Sequence, residues 1–298
     1  MSKYNKHQLS LLFFMAFVSL YLFFAEGQII GFTQFTNLLK ESLVLLICFI
    51  FITTLGVSHG ALDGKIIWDQ GENFTKRLKI YITYITITIG GGLLWVIYPF
   101  VGLLLLLMLS IIHFGLSDLK FLGKISQLQK ISWGFIMTFL PLGFHENEVN
   151  EIFYLLTDKY ISGIFMVAIK YLLLTAVFLY FSIVFKKIFS KKNTDILSES
   201  LVSIELGFLV VMAYLLDPIV WFALYFCALH GLRSVIQLNF KFYPDTIWMI
   251  FFTSPIIIFI LLVGNNYNQN DIFIIFPILA CLTNAHMLLP NIIKKVKD

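Results

Sequence analysis

Long apolar segments recur along the whole chain and are separated by short polar stretches. Apolar segments of about 17 to 25 residues are long enough to cross a bilayer as helices. The pattern predicts ten spans, at about 9–25, 42–60, 80–97, 100–117, 131–145, 160–185, 198–216, 218–238, 246–264 and 271–290. Two connections are only turn-length, between Tyr98 and Pro99 and between Asp217 and Pro218, where proline disfavours helix in the preceding residue. The predicted fold is an all-α, polytopic membrane bundle.

Composition agrees with this fold class. The chain of 298 residues is 59% hydrophobic and 13% charged, with a mean hydropathy of +0.89, which excludes an ordinary soluble domain. The spans leave no segment for a separate soluble domain, so residues 1–298 are interpreted as one integral membrane domain without a reductase or cofactor-binding domain. The first span lacks a small-residue cleavage site and is expected to be retained, not removed as a signal peptide.

The distribution of lysine predicts the orientation. If the N-terminus is cytoplasmic, the outer segments hold only Lys40 and Lys159, whereas the inner segments together hold seventeen Lys and Arg residues. The positive-inside rule then places both termini in the cytoplasm and the protein in the cell (inner) membrane. The same loops explain the net charge of +4, so no nucleic-acid partner is expected. The cysteines lie within spans and show no CxxC spacing, so no disulfide framework is expected: Cys48, Cys227 and Cys281.

Four of the six histidines lie inside apolar runs: His59, His113, His230 and His286. Ionisable groups at membrane depth commonly mark sites, and neutral histidine is a frequent transition-metal ligand. On the predicted topology all four lie in spans that run from outside to inside. Three lie within about a turn of the cytoplasmic end, and His230 lies about two turns in. This shared depth predicts one buried metal centre; the alternative is a set of histidines hydrogen-bonded between helices.

Acidic residues and glycines follow the histidines closely. Asp63 lies four residues after His59, and Asp118 lies five after His113. Each carboxylate could accept the second ring N–H of a ligating imidazole, although an aspartate at a membrane interface is an equally ordinary reading. Small residues that would permit close helix packing follow three of the histidines: Gly60, Gly115 and Gly231.

Four short phrases occur in order along the chain: HGALD at 59–63, HFGLSD at 113–118, FCALHGLR at 226–233 and AHMLLP at 285–290. In these phrases the chain resembles the Brp/Blh family of integral-membrane β-carotene 15,15′-dioxygenases from rhodopsin-bearing bacteria and archaea. The resemblance implies a histidine-ligated non-haem Fe2+ centre that cleaves the central double bond of β-carotene with O2 to give two retinal molecules. His59, His113 and His230 match ligand positions of the family. A second family histidine, four residues after the one matching His230, is replaced here by Ser234, and His286 is the available substitute.

The residue types fit this chemistry. Neutral imidazoles leave the full 2+ charge on the metal and leave positions open for O2 on an iron that prefers six ligands. Zinc would accept the same ligands but has no redox chemistry, so the residues alone do not separate the two metals. A carotenoid is an apolar rod about as long as a bilayer is thick, so it would enter from the lipid through an apolar tunnel. Aromatic residues upstream of His230 are candidate tunnel walls, or ordinary core or lipid-facing aromatics: Trp221, Tyr225 and Phe226.

Three other function classes are alternatives to the dioxygenase. A di-iron desaturase needs HxxxH or HxxHH clusters, which the chain lacks. A b-type haem protein needs only two axial histidines, and a transporter would place its polar residues near the midplane. Outside the predicted centre, His7 and His145 are expected to be solvated, Lys170 is expected to snorkel, and Arg233 is expected to pair with a carboxylate.

Overall fold

The structure, a computed structural model, describes residues 3–25, 47–48, 50–52, 54, 58–70, 73–122, 125–189, 196–238, 240–263 and 275–297. Within these ranges every regular element is helical. The α-helices, numbered in chain order, are α1 (Lys3–Ala25), α2 (Ser58–Ala61), α3 (Asp63–Gln70), α4 (Phe74–Ile97), α5 (Pro99–Asp118), α6 (Gln127–Phe139), α7 (Glu146–Thr157), α8 (Gly163–Phe189), α9 (Ile196–Leu215), α10 (Pro218–Leu224), α11 (Leu232–Gln237), α12 (Phe242–Val263) and α13 (Ile275–Lys297). A π-helical segment, Tyr225–Gly231, joins α10 to α11, and 3-10 turns occupy Lys120–Leu122 and Leu140–Gly143.

Five helices of the described part of the chain are long and apolar enough to cross a membrane. They are α4, α5, α8, residues 197–215 of α9, and the continuous helical rod from Pro218 to Gln237. Large apolar side chains point outward from them, for example Ile89 on α4 at 57% exposure and Phe178 on α8 at 71%. Such faces suit a lipid environment. The all-α membrane class therefore stands, whereas the count of ten spans stays a prediction.

The two turn-length connections predicted from proline are confirmed. α4 ends at Ile97 and α5 begins at Pro99, so only Tyr98 separates the two helices. Pro218 is the first residue of α10, where its missing N–H costs no helical hydrogen bond. The carboxylate of Asp217 caps this helix by accepting the Ile219 N–H at 2.9 Å.

The region predicted as a single span at 131–145 differs from expectation. α6 ends at Phe139 and is followed by the 3-10 turn that contains Pro141. Proline removes a hydrogen-bond donor and clashes with the preceding helical turn, which ends the α-helix here. At 13 residues, α6 is about 20 Å long, short of the roughly 30 Å hydrocarbon core. The connection between the fifth and sixth predicted spans also contains a helix that was not predicted, α7, which is followed by Asp158 in the left-handed conformation with φ 54°.

Two glycines let α5 and α6 touch backbone to backbone. A Cβ atom on Gly134 would lie 1.7 Å from the Ile111 carbonyl oxygen, and one on Gly115 would lie 2.1 Å from the Lys130 carbonyl oxygen. Any larger residue would push the helices apart. The close packing expected at Gly115 is confirmed, and it fixes the helix that carries His113.

The interior of the described part of the chain has two hydrophobic clusters, and the histidine-bearing helices contribute to both. The larger cluster joins α1, α5, α6, α8, α9 and the rod from Pro218. The smaller one joins α3, α4 and α13 through four buried residues, Ile67, Ile80, Leu289 and Ile292. α13 packs on both α4 and α5, so it brings its own histidine to the helix that carries His113.

Candidate metal and substrate site

Three of the four predicted histidines meet where α5, the π-helical segment and α13 come together. The Nε2 atoms of His113 and His230 are 3.2 Å apart, and the ring centroids of His113 and His286 are 5.3 Å apart. The side chain of His230 is fully buried, and that of His286 is 16% exposed. The three residues come from distant parts of the sequence, so the fold itself assembles the cluster.

The fourth predicted histidine, His59, belongs to α2, but its side chain lies outside the described part of the structure. Its neighbours Gly60 and Ala61 border the same cavity as His113 and His286. α2 also packs against α11 and α13. The backbone of this segment therefore lies beside the cluster, and the ligand role of His59 stays a prediction.

Each of two histidines in the cluster is held by a carboxylate. His230 Nδ1 donates to Asp118 Oδ1 at 2.7 Å, and His286 Nδ1 donates to Asp63 Oδ1 and Oδ2 at 2.8 and 2.9 Å. Since a carboxylate accepts, Nδ1 carries the proton in both rings. In a neutral imidazole this leaves Nε2 as the lone-pair nitrogen available to a metal.

The partners of these carboxylates differ from those that sequence spacing suggested. Asp118 lies five residues after His113 and is therefore turned about 140° around the helix from it; it bonds the histidine of the neighbouring rod instead. Asp63 begins a new helix, α3, because the α-helix is interrupted at Leu62. Its carboxylate reaches His286 on α13. Each aspartate thus joins its own helix to a histidine on another element.

Aromatic donors orient the two carboxylates. Asp118 Oδ2 accepts from Trp133 Nε1 at 3.0 Å and from the Tyr225 hydroxyl at 2.7 Å. Asp63 Oδ2 accepts from the Tyr84 hydroxyl at 3.0 Å. Sequence reasoning missed Trp133 and Tyr84; the only signal was the general need of a buried Trp or Tyr for a polar partner.

A buried ion pair adjoins Asp118. Arg233 Nη2 lies 3.0 and 2.8 Å from the two carboxylate oxygens of Glu205, and its Nη1 donates to the Asp118 backbone carbonyl at 3.3 Å. Gln8 Nε2 on α1 also donates to Glu205, at 3.2 Å. The expected pairing of Arg233 with a carboxylate is confirmed. Since a buried charge is costly unless it is paired and hydrogen-bonded, this network holds α1, α9 and α11 together beside the site.

His230 lies in the π-helical segment, a local form that is often found at functional sites. The Phe226 ring stacks on the His230 ring at a centroid distance of 5.4 Å and an angle of 11°. The Phe114 ring meets the same imidazole edge-on at 4.9 Å and 73°. Together with Asp118, these contacts fix the plane of the His230 ring.

Two cavities lie next to the cluster. The first, of about 290 Å³, is bordered by His113, His286 and Asp63. The second, of about 160 Å³, is bordered mostly by apolar side chains of α5, α6, α7 and α10. Of the three aromatics predicted as tunnel walls, Phe226 borders both cavities. Trp221 and Tyr225 border neither; they are buried, and Trp221 donates to the Leu209 carbonyl at 3.0 Å.

The two histidines outside the cluster, which were expected to be solvated, are less exposed than that expectation requires. His7 is half-buried, with Nε2 2.9 Å from the Ala228 carbonyl oxygen. His145 is also half-buried, with Nε2 3.0 Å from the Ala213 carbonyl oxygen. Each ring fills a contact between helices because a backbone carbonyl there accepts its N–H. Lys170, expected to snorkel, forms a partly exposed ion pair with Glu146 of α7.

The separation of the nitrogens is compatible with a shared metal ion. Two imidazole nitrogens about 2.1 Å from one ion lie about 3.0 to 3.4 Å apart for octahedral to tetrahedral angles, and the Nε2 atoms of His113 and His230 are 3.2 Å apart. The same distance also suits a hydrogen bond between the rings. Among the described side chains, which exclude that of His59, no group of three or more His, Cys, Asp or Glu has the geometry of a metal site. The metal itself stays a prediction.

Comparison with known proteins adds an independent observation. The model of the family described as beta-carotene 15,15′-dioxygenase matches residues 50–294. The chain belongs to this family. It is 28% identical over 197 residues to a beta-carotene 15,15′-dioxygenase from uncultured marine bacterium 66A03, an alignment that covers 61% of this chain and 65% of that protein. The chain thus spans slightly less than two thirds of the relative's length. No solved structure matches the chain.

The residues matched by the family model include all four predicted histidines, both carboxylates and the residues that border both cavities. The residue that departs from the expected family pattern, Ser234, is buried, and its Oγ is 3.2 Å from Ser117 Oγ. His113 and Ser117 are one turn apart on α5, as His230 and Ser234 are on the facing rod. The position where a second histidine was expected is therefore occupied by a hydroxyl contact between these two helices.

Proposed function

We propose that this chain cleaves β-carotene, or a closely related carotenoid, at its central 15,15′ double bond with O2 to give retinal. Membership of the dioxygenase family supports the reaction class. The observation that carries the proposal is the histidine cluster, supported by carboxylates, at the wall of an apolar cavity. A cavity next to candidate metal ligands is where a reacting bond would have to lie.

We propose a non-haem Fe2+ held by His113, His230 and His286, with His59 as the fourth ligand. The donor chemistry supports this, because the Nδ1–H groups of two of the rings already donate hydrogen bonds to carboxylates. Such partners orient a ligating imidazole and raise its basicity. When bound, the iron would supply the redox chemistry that O2 requires.

The reaction balances without a separate reductant. The carbon–carbon double bond breaks, each carbon receives one oxygen atom from O2, and two aldehydes form. The electrons come from the substrate, so no reductase partner is needed. The residues of the chain would hold the histidines in one tautomer, keep the site apolar and position a single double bond beside the cluster.

The proposed setting is the cell (inner) membrane, crossed ten times with both termini in the cytoplasm. Five apolar helices of sufficient length in the described part of the chain support a membrane setting, and the lysine distribution supports the proposed orientation. The carotenoid would then reach the site directly from the bilayer, its natural solvent. O2 also partitions into apolar surroundings and would arrive by the same route.

The proposal is tested by expressing the chain in a bacterium that accumulates β-carotene and measuring retinal and remaining carotenoid. We expect retinal from the wild-type chain and none from His230→Ala. The matched control is His145→Ala, which removes a half-buried imidazole outside the cluster and should keep retinal formation. Purified protein should contain iron without a haem absorption band. A colourless, metal-free protein that makes no retinal would instead favour a transporter.

A further inference from the structure

The helix start that carries Asp63 is held by contacts from two other helices. Asp63 is the first residue of α3, which has only 8 residues, and a helix this short is marginal without tertiary contacts. From α4, the Tyr81 hydroxyl donates to the Gly64 carbonyl at 2.7 Å. From α12, the Phe252 ring lies so close to Gly64 that a Cβ atom there would be 2.6 Å from it. The position of the Asp63 carboxylate therefore depends on how α3 is attached to α4 and α12.

An ion pair also links α3 to α12, two residues after Asp63. Lys65 Nζ donates to Asp245 Oδ1, and the second oxygen of Asp245 accepts the Lys241 backbone N–H at 2.7 Å. The Asp245 side chain is 1% exposed, and that of Lys65 is 26% exposed. Since a buried carboxylate is costly without its charged partner, loss of the lysine would weaken the attachment of α3 to α12.

We propose that Lys65 and Asp245 are positioning residues for the metal centre, because their ion pair holds Asp63 where its carboxylate fixes the His286 ring. This inference rests on the metal centre of the proposed function. Asp245 holds Lys65, and Lys65 lies two residues after Asp63 on α3. The Asp63 oxygens in turn accept the His286 Nδ1–H at 2.8 and 2.9 Å. α12 carries no histidine, yet it controls how firmly one histidine of the centre is aimed.

Co2+ binding to the purified, metal-free protein tests this role, because the visible spectrum of Co2+ reports coordination geometry as well as occupancy. Lys65→Met removes the cation, and we expect Co2+ to bind about threefold to tenfold more weakly, at or below the loss typical of a direct partner of a ligand. Its visible bands should also shift. Lys65→Arg keeps a cation that can pair with Asp245, so its Co2+ affinity should stay within about twofold of wild type.

The same substitution in an Asp63→Asn background separates positioning from general stability. If the ion pair acts through Asp63, Lys65→Met should weaken Co2+ binding there by less than about twofold, because residues that act through one shared contact are not additive. Folding of every variant is compared by its yield in the membrane and its thermal unfolding in detergent. An equal loss of affinity in both backgrounds would show a general loosening of the protein and would overturn the proposal.

The matched control is Lys187→Met. The ion pair of Lys187 with Glu199 is buried to a similar degree, with side chains 22% and 3% exposed, and it joins α8 to α9, which carry no histidine. Co2+ affinity and spectrum should therefore match wild type. A loss in Lys187→Met equal to that in Lys65→Met, or no loss in Lys65→Met, would overturn the positioning role.

Retinal formation by the wild-type chain distinguishes this proposal from the proposed function. The expected Co2+ results in a chain that forms no retinal would overturn the proposed reaction and leave the positioning role standing. Retinal formation together with equal Co2+ affinity in wild type and Lys65→Met would do the reverse. A wild-type chain that binds no Co2+ and forms no retinal would overturn both.

Discussion

At the scale of single residues, Asp118 should act through His230. In Asp118→Asn the His230 ring keeps its packing against Phe114 and Phe226 but loses the charged acceptor for its Nδ1–H, so its orientation is held less firmly and its basicity falls. We expect iron affinity and the cleavage rate to fall about 10-fold to 100-fold. Asp63→Asn should behave alike through His286. The measurements are bound iron per protein and the rate of retinal formation.

Asp217→Asn is the matched control for these two variants. Asp217 also lies at a helix end, but its side chain caps the Ile219 N–H. Asparagine caps a helix about as well as aspartate, so stability and iron content should stay unchanged. If all three variants lost iron to the same extent, the pairing of carboxylate with imidazole would have no specific role.

Variants at His286 and Ser234 test how many histidines hold the proposed iron. His286 lies in the cluster with its Nδ1 held by Asp63, so we expect His286→Ala to lose iron as His113→Ala does. Ser234→His should add little iron affinity, because Ser234 is buried against Ser117 and an imidazole there must displace that contact. Titration of both variants with iron measures this. Iron retained by His286→Ala and bound more tightly by Ser234→His would indicate a different ligand set.

Many of the candidate site residues could be predicted from the sequence, but their hydrogen-bond partners could not. An imidazole in an apolar span is costly, so a histidine there is recognisable as a candidate from the sequence alone. Which carboxylate holds which ring depends on how helices pack, and spacing along one helix does not give this pairing. Trp133 and Tyr84 carry no distinguishing spacing at all. Their roles arise because the fold brings their polar edges to a buried carboxylate.

At the scale of helices, the contact between α5 and α6 should be intolerant of added volume. Gly134→Ala would place a methyl group 1.7 Å from the Ile111 carbonyl oxygen. Overpacking of this kind costs about 1 to 3 kcal/mol or more. We expect a lower thermal unfolding temperature in detergent and reduced activity. Gly207→Ala, where nothing lies within 4 Å of the added Cβ, should match wild type or exceed it. Equal destabilisation would mean that the two helices separate more easily than the packing indicates.

Helix positions were predictable from hydropathy because burial in lipid requires long apolar segments, and the prolines at 99 and 218 mark their ends. Local departures from these long helices could not be predicted from hydropathy. The break after α6 depends on Pro141 acting within an apolar run, and α7 lies in a loop whose acidic composition hides its buried face, which includes Val149 and Phe153. The π-helical segment around His230 leaves no signal in the apolar pattern, since its residues are almost all buried.

At the scale of the whole molecule, the remaining prediction concerns orientation. The lysines on alternate connections predict that both termini lie in the cytoplasm, and the cluster would then lie nearer the cytoplasmic side. A fluorescent reporter that folds only in the cytoplasm, fused after Asp298, should be bright, and a phosphatase that folds only outside should be inactive there. The matched fusion after Lys159, between α7 and α8, should give the reverse. The two fusion sites must lie on opposite sides if the lysine distribution sets the topology. Phosphatase activity after Asp298, or the same result at both sites, would contradict the topology and with it the shared depth from which the histidine cluster was predicted.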